Sequence, residues 1–403
     1  MTASTNIPAR AEQKEAAAGI AHWGGVFAMT LCVFALIASE FMPVSLLTPI
    51  AFDLRVSEGW VGYGIAISGA FAVLTSLSIS ALAGSMNRKA LLLVLTGLMG
   101  LSGAVVAAAP NYVVYMVGRA MIGVVIGGFW SMSAATAMRL VPAAQVPRAL
   151  AIFNGGNALA TVIAAPLGSY LGAIIGWRGA FYCLVPVAVI ALAWQWISLP
   201  SMKPDGSAAS VNVFRLLRNR TMALGMAACG VFFMGQFTLF TYVRPFLETV
   251  TRVDISTLSL ILLGIGVAGF IGTVIIGTFL KRGLYRTLIV IPILMAAIAL
   301  ALLPIGGWVW PVAGLLAAWG LLGTAAPVGW WSWIAESLPK DAEAGGGLMV
   351  AVIQLAIALG STVGGLLFDG SGYQSTFIVS AIVLLFGAFL TVLAARSQAS
   401  HQA

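Results

Sequence analysis

Glu40 stands inside ALIASEFMPVSLLTPI, residues 35–50, a run of otherwise apolar and small residues. A carboxylate at the centre of a membrane-spanning helix costs roughly 2.5–3.5 kcal/mol on insertion scales, so it faces a protein interior or a watery cavity. Pro43 and Pro49 follow on the same segment, and each removes a backbone donor. The outer part of this helix is therefore expected to be bent and partly unwound. Arg119 is the cation that another apolar stretch encloses. Glu40 lies about eleven residues, and Arg119 about seven, from the outer ends of their stretches, so at 1.5 Å per residue their depths differ by about 6 Å. The two side chains are expected to meet. Burial favours the neutral form of an acid and a neighbouring cation its charged form, so a changing contact with Arg119 would let Glu40 take up and release a proton. The alternative is a static ion pair that fixes helix packing.

These residues need a membrane scaffold, and the composition supplies one. Of the 403 residues 61% are hydrophobic and only 8% charged, which excludes a soluble multidomain protein. The fold class expected is an all-α polytopic membrane protein. A hydrocarbon layer of about 30 Å takes about 20 helical residues, and stretches of that order occur at 23–51, 59–83, 90–109, 112–138, 149–175, 179–199, 222–246, 256–280, 288–304, 309–333, 345–368 and 376–395. Residues 1–22 read as a polar tail and not a signal peptide. With both termini cytoplasmic, fifteen of the 20 basic residues fall in inside segments, including Arg10, Lys14, Lys203 and Lys340; Arg55, Arg119, Arg178, Arg244 and Arg252 are the other five. The positive-inside rule thus fixes the orientation. The net charge of +8 is spread over short loops, which argues against nucleic acid. Cys32, Cys183 and Cys229 all fall in apolar stretches and read as packing residues.

The stretch 200–220, with Pro204, Asp205, Gly206 and the basic group FRLLRNR, reads as a cytoplasmic linker between two six-helix bundles, 23–199 and 221–395, with 396–403 a second cytoplasmic tail. A shift of 196 residues aligns Glu40-Phe41 with Gln236-Phe237, Pro49 with Pro245, Gly168 with Gly364, and GWRGAF from Gly176 with GYQSTF from Gly372. Repeated six-helix halves are a transporter construction with the substrate site near mid-membrane between them. Gln236 and Leu315 stand where Glu40 and Arg119 are in the first half, so the second half builds its bundle without the charged pair.

Along essentially the whole chain these features resemble the major facilitator superfamily. Asn87, Arg88 and Lys89, in the loop GSMNRK, sit at that family's gating-loop motif. Arg119 with Gly123 and Gly127 resembles its fourth-helix arginine motif, and Ala165-Pro166-Leu167-Gly168 its fifth-helix antiporter motif. Two positions depart from the pattern: Asn87 replaces an acid, and Ala165 a glycine. SEFMPVSLLTP resembles the drug, sugar and nucleoside efflux branch. GGFWSMSAA, RLVP, FTYVRP, PVGWWSWI and VAVIQLA are similar to bacterial purine ribonucleoside efflux permeases. The resemblance implies a major facilitator fold in the bacterial inner membrane and proton-coupled export of a purine nucleoside by alternating access, with sugars or amphipathic drugs the alternative cargo. A monomer is expected.

For such a substrate Gln236 and Gln354 offer hydrogen-bond donors and acceptors, while Phe41, Trp130, Phe237, Tyr242, Trp330 and Trp331 offer flat faces. Each glutamine also fits interhelical bonding, and each aromatic fits core packing or a lipid-interface anchor. Asn154 and Asn157 share a face near the inner entrance. Arg178 and Arg244 read as interface anchors, and Asp53, Glu58, Asp254 and Asp369 as solvated outer residues. No enzyme is indicated: the two histidines, His22 and His401, lie near the termini, and there is no nucleophile with a base, metal cluster or cofactor motif. GxxxxGK[ST] is absent, which argues against direct ATP drive.

Overall fold

The structure, a computed structural model, describes residues 21–82, 86–142, 145–202, 213–338 and 342–402. Arg10, Lys14, Lys340 and residues 203–212 of the linker, Lys203 among them, lie outside the described residues, as does the side chain of Asn154. The helices are α1 (Trp23–Leu54), α2 (Glu58–Leu82), α3 (Arg88–Ala107), α4 (Tyr112–Arg139), α5 (Val146–Tyr182), α6 (Leu184–Ser198), α7 (Arg220–Phe240), α8 (Ile255–Arg282), α9 (Leu284–Ile305), α10 (Val309–Ser337) and α11 (Ala342–Gln402). A short helical stretch, Val243–Phe246, and a π turn, Leu247–Thr251, extend α7.

Ten stretches of the described chain are long and apolar enough to cross a membrane, and two of these, Arg148–Ser198 and Gly345–Ala399, are 51 and 55 residues long. At 1.5 Å per residue each is more than twice the hydrocarbon thickness, so each must reverse. The reversals fall at Gly176 (φ 75°, ψ 163°) and Gly372 (φ 79°, ψ 178°), a backbone region that is essentially glycine-only. Side-chain neighbours confirm the turn. Before Gly176, α5 runs parallel to α1, with Gly156 on Thr30 and Gly172 on Leu46. After it the chain runs back, from Arg178 beside Asp53 to Ser198 beside Gly24. Around α7 the same pattern recurs: Gly360 lies on Met234 and Gly364 on Thr238, then Gly387 on Phe232 and Ser397 on Thr221. Twelve passes result, and the two reversals are 196 residues apart. Arg55 (φ 56°) and Arg252 (φ 58°), the left-handed caps closing α1 and the α7 extension, form a similar pair 197 residues apart, one residue off that offset.

Helices α7–α11 share one core, in which Phe232, Phe246, Trp319, Trp330, Trp333 and Phe377 are fully buried, while α1–α6 form two smaller ones. Cys32 and Cys229 pack inside, but Cys183 is exposed on the helix surface, which corrects its reading as a packing residue. We call the face where α1 begins proximal and the face where it ends distal. Among the described residues, the hydrogen bonds and ring stacking between α1–α6 and α7–α11 lie at mid-depth or toward the distal face. The distal side is closed.

Candidate functional site

The site is organised by α1, because its two prolines leave backbone acceptors without helical donors. Pro43 cannot donate to the carbonyl of Ser39, nor Pro49 to that of Ser45. A buried arginine supplies each missing bond. Arg119 of α4, 1% exposed, donates from Nη1 to the Ser39 carbonyl at 2.7 Å, from Nη2 to the Glu40 carbonyl at 3.2 Å, and from Nε to the Gly64 carbonyl at 3.2 Å. Arg244, just past α7, donates to the Ser45 carbonyl. Arg119 therefore does reach Glu40, as depth alone suggested, but it binds the backbone. Among the described residues its side chain makes no hydrogen bond to the carboxylate.

The Glu40 carboxylate, near the middle of the 32-residue α1 and 5% exposed, instead accepts from Nε2 of Gln354 in α11 at 3.2 Å. This bond joins the two helix groups. Next to it Phe41 of α1 stacks on Phe237 of α7, with centroids 5.9 Å apart and planes at 28°. Gln236 precedes Phe237 and lies against Gly323 of α10. Its Oε1 is buried and has no protein donor among the described residues. One turn before Gly323, on the same face of α10, the indole Nε1 of fully buried Trp319 is equally unpartnered. Sequence reasoning missed Trp319, since a tryptophan in an apolar stretch carries no signal that its N–H will be left open.

The other expected residues are placed elsewhere. Trp330 packs edge-on against Trp333 inside the α7–α11 core, Trp130 against Phe153, and Trp331 is 45% exposed beside Gly346. No described contact joins these three to Glu40. Tyr242 is fully buried in the distal closure. Its hydroxyl donates to the Ser361 carbonyl at 2.8 Å, its ring stacks on Phe368, and it fits against Gly62, where no side chain would be accommodated. Asn157 is half-buried in α5.

The loop and fifth-helix motifs have local explanations. Asn87 caps α3, accepting at Oδ1 from the amides of Lys89 (2.9 Å) and Met202 (3.1 Å) while Nδ2 donates to Ser201 Oγ at 2.6 Å. Asparagine thus ties the start of α3 to the strand of chain leaving α6, with half-buried Arg88 and Lys89 following. Pro166 and Gly168 are buried in α5; a Cβ at Gly168 would come within 2.7 Å of Ser45 Oγ, so its absence lets α5 lie on α1. Helix α1 itself stays helical through Pro43 and Pro49, which corrects the expected unwinding, because buried side chains replace the missing donors.

Arg178 and Arg244 are paired and not free anchors, whereas Asp53, Asp254 and Asp369 are exposed, as expected of solvated acids, while also making specific bonds. Arg244 is 6% exposed and pairs with Glu248 at 2.8 Å. Arg178 pairs with Asp53 and the Ala109 carbonyl and covers the Trp177 ring at 4.3 Å. Asp369 accepts from the Ser57 hydroxyl and, at 3.2 Å, from the Gly59 amide. Asp254 caps α8, where the Thr257 hydroxyl and the amides of Thr257 and Ser256 hold its carboxyl below the ordinary aspartate range.

Two six-pass helix groups around a buried acid at their contact define a polytopic membrane protein of the transporter type. Residues 29–348 match the model of the Major Facilitator Superfamily, and the chain belongs to that family. It is 67% identical over 381 residues to the transcription regulatory protein OpdE of Pseudomonas aeruginosa PAO1, covering 94% of this chain and 95% of OpdE. It is 40% identical over 386 residues to the purine ribonucleoside efflux pump NepI of Salmonella typhimurium LT2, covering 95% and 97% of the two chains. A crystal structure of the nucleoside transporter NupG superposes with a TM-score of 0.74 at 13% identity, covering 92% of this chain and 98% of that one. A bacterial homologue of the lysosomal transporter Spinster, in an inward-facing state, gives 0.67 at 16% identity, covering 93% and 97%. These two likenesses concern the fold.

Proposed function

We propose that the protein exports purine ribonucleosides in exchange for protons, with Glu40 as the proton carrier, as a monomer in the bacterial inner membrane with its proximal face toward the cytoplasm. The observation that carries this reading is the Glu40–Gln354 hydrogen bond at the contact between the two helix groups. Separation of the groups on the distal side breaks that bond and opens the carboxylate to protons there. Reclosure and proximal opening release the proton to the other side. Arg119 holds the turn of α1 that carries Glu40. The Asn87 cap and the Gly168 contact keep α3 and α5 in register with α1 and α6 while this happens.

The cargo assignment draws on the similarity to NepI and on the open donor and acceptor at Trp319 and Gln236, which match the hydrogen-bonding edge of a purine or a ribose hydroxyl. Phe41 and Phe237 supply a flat apolar wall beside them. One proton moving through 100 mV yields about 2.3 kcal/mol, and about 1.4 kcal/mol is tenfold in concentration, so the potential alone sustains a gradient of roughly fortyfold.

The test is counterflow of labelled inosine in proteoliposomes, with and without an imposed proton gradient. The wild type should exchange inosine and drive it uphill, while Glu40→Gln keeps exchange and loses uphill transport. Exchange of a sugar or lipophilic cation but never of inosine overturns the cargo. Absence of any flux favours the second reading, a regulatory membrane protein, which the name of its relative OpdE supports.

A further inference from the structure

Arg119 and Arg244 perform the same local task on α1 but differ in one respect. Arg119 belongs to α4, in the same helix group as α1, so its bonds move with α1. Arg244 belongs to the other group. Its guanidinium crosses the contact between the groups to reach the Ser45 carbonyl, which is free to accept because Pro49, four residues on, has no N–H. On its own side Glu248 holds the guanidinium in place through Nε and Nη2. The bond is nearly sealed from water, with Ser45 0% and Arg244 6% exposed. Tyr242 against Gly62 and Asp369 on Ser57 and Gly59 bridge the same two groups on this side of Glu40. The arrangement is one-sided: Thr48 stands 196 residues before Arg244, and its hydroxyl has no partner among the described residues.

We propose that Arg244 and the Ser45 carbonyl released by Pro49 form the latch that keeps the distal face shut. Pro49 makes an acceptor that an intact helix would consume internally, and Arg244 uses it only while the groups are in contact. On distal opening both ends find water. A charge-assisted bond of this kind is among the stronger ones available to a protein. Its loss should therefore shift the balance between distal-closed and distal-open forms by roughly tenfold or more. The inference rests on the transporter reading only in that the distal face must open; the cargo plays no part in it.

The experiment places a cysteine at Ile65 of α2, which is buried against the α7–α11 core between the Gly62 contact with Tyr242 and the Gly69 contact with Gln354, in a chain whose Cys32, Cys183 and Cys229 are alanine. Its reaction with a hydrophilic thiol reagent is followed in purified protein in nanodiscs without substrate. Arg244→Gln should raise the labelling rate about tenfold. Pro49→Ala, which returns an amide donor to the Ser45 carbonyl and leaves Arg244 in place, should raise it as well, and Arg244→Gln should then add less than about twofold. Labelling unchanged by either single variant, or effects that simply multiply in the double variant, overturns the latch. Pro49→Ala decides the question by itself if Arg244→Gln fails to fold. Failure of inosine exchange with these labelling effects intact would overturn the cargo and leave the latch standing.

Discussion

Replacing Gln236 by methionine should make the empty protein more stable and its function worse. Gln236 Oε1 is buried with no protein donor among the described residues, and leaving such an acceptor unsatisfied costs about 1–3 kcal/mol. Methionine keeps the length of the side chain and removes the acceptor. Volume-conserving swaps cost under about 1.5 kcal/mol, so a net gain of about 1 kcal/mol remains, which corresponds to a rise in Tm of about 2 °C for a chain this long. A substrate that donates a hydrogen bond to Oε1 loses that bond, and a loss of about 1–3 kcal/mol weakens its affinity by roughly tenfold to a hundredfold. The assay is thermal unfolding in detergent with and without inosine, paired with the KM of inosine exchange. A higher Tm without ligand, a smaller ligand-induced shift and a raised KM are expected together. A lower Tm with wild-type KM would refute the reasoning, because Gln236 would then be a packing residue whose amide is satisfied within the protein.

Gly176→Ala and Gly372→Ala should each lower Tm through the backbone alone, since no atom crowds either Cβ position while the conformation costs a non-glycine residue about 1–3 kcal/mol; unchanged melting would show that the reversals tolerate side chains. Asn87→Ala should destabilise by about 1 kcal/mol through loss of the α3 cap, whereas Asn87→Asp, which keeps the acceptor for Lys89 and Met202, should retain most of it; equal melting of the two variants would count against the cap. Asp254 is held below its ordinary range by its capping bonds, so its contribution is present above the ordinary aspartate pKa and is lost as pH falls through the lower folded value. Melting measured across pH 3–5 against Asp254→Asn should show the difference narrowing toward acid; a difference that grows would reverse the assignment.

The sequence by itself determined the membrane scaffold. The length and apolar content of each stretch dictate a bilayer crossing, because a backbone in hydrocarbon must satisfy its own hydrogen bonds. The breaks after 175 and 368 were legible as interruptions between apolar stretches, whereas the continuous helical runs that reverse at Gly176 and Gly372 came only from the structure. Glu40 was legible as the candidate functional acid for the same reason, since a buried carboxylate in an apolar run is costly. Its partner was not legible. Depth along the helices correctly brought Arg119 to the level of Glu40, but depth says nothing about rotation about the helix axis, and the guanidinium turned to carbonyls that Pro43 had released. The carboxylate was left for Gln354, more than three hundred residues away. Arg244 looked like an interface anchor because it lies near a helix end; only the packing of α7 against α1 buried it over the carbonyl released by Pro49. Trp330 and Trp331 are adjacent in sequence, yet one is core and the other exposed, because successive helical residues point about 100° apart. In a helix that is apolar all round, hydropathy fixes how long the segment is and leaves which face meets which neighbour to the tertiary contacts.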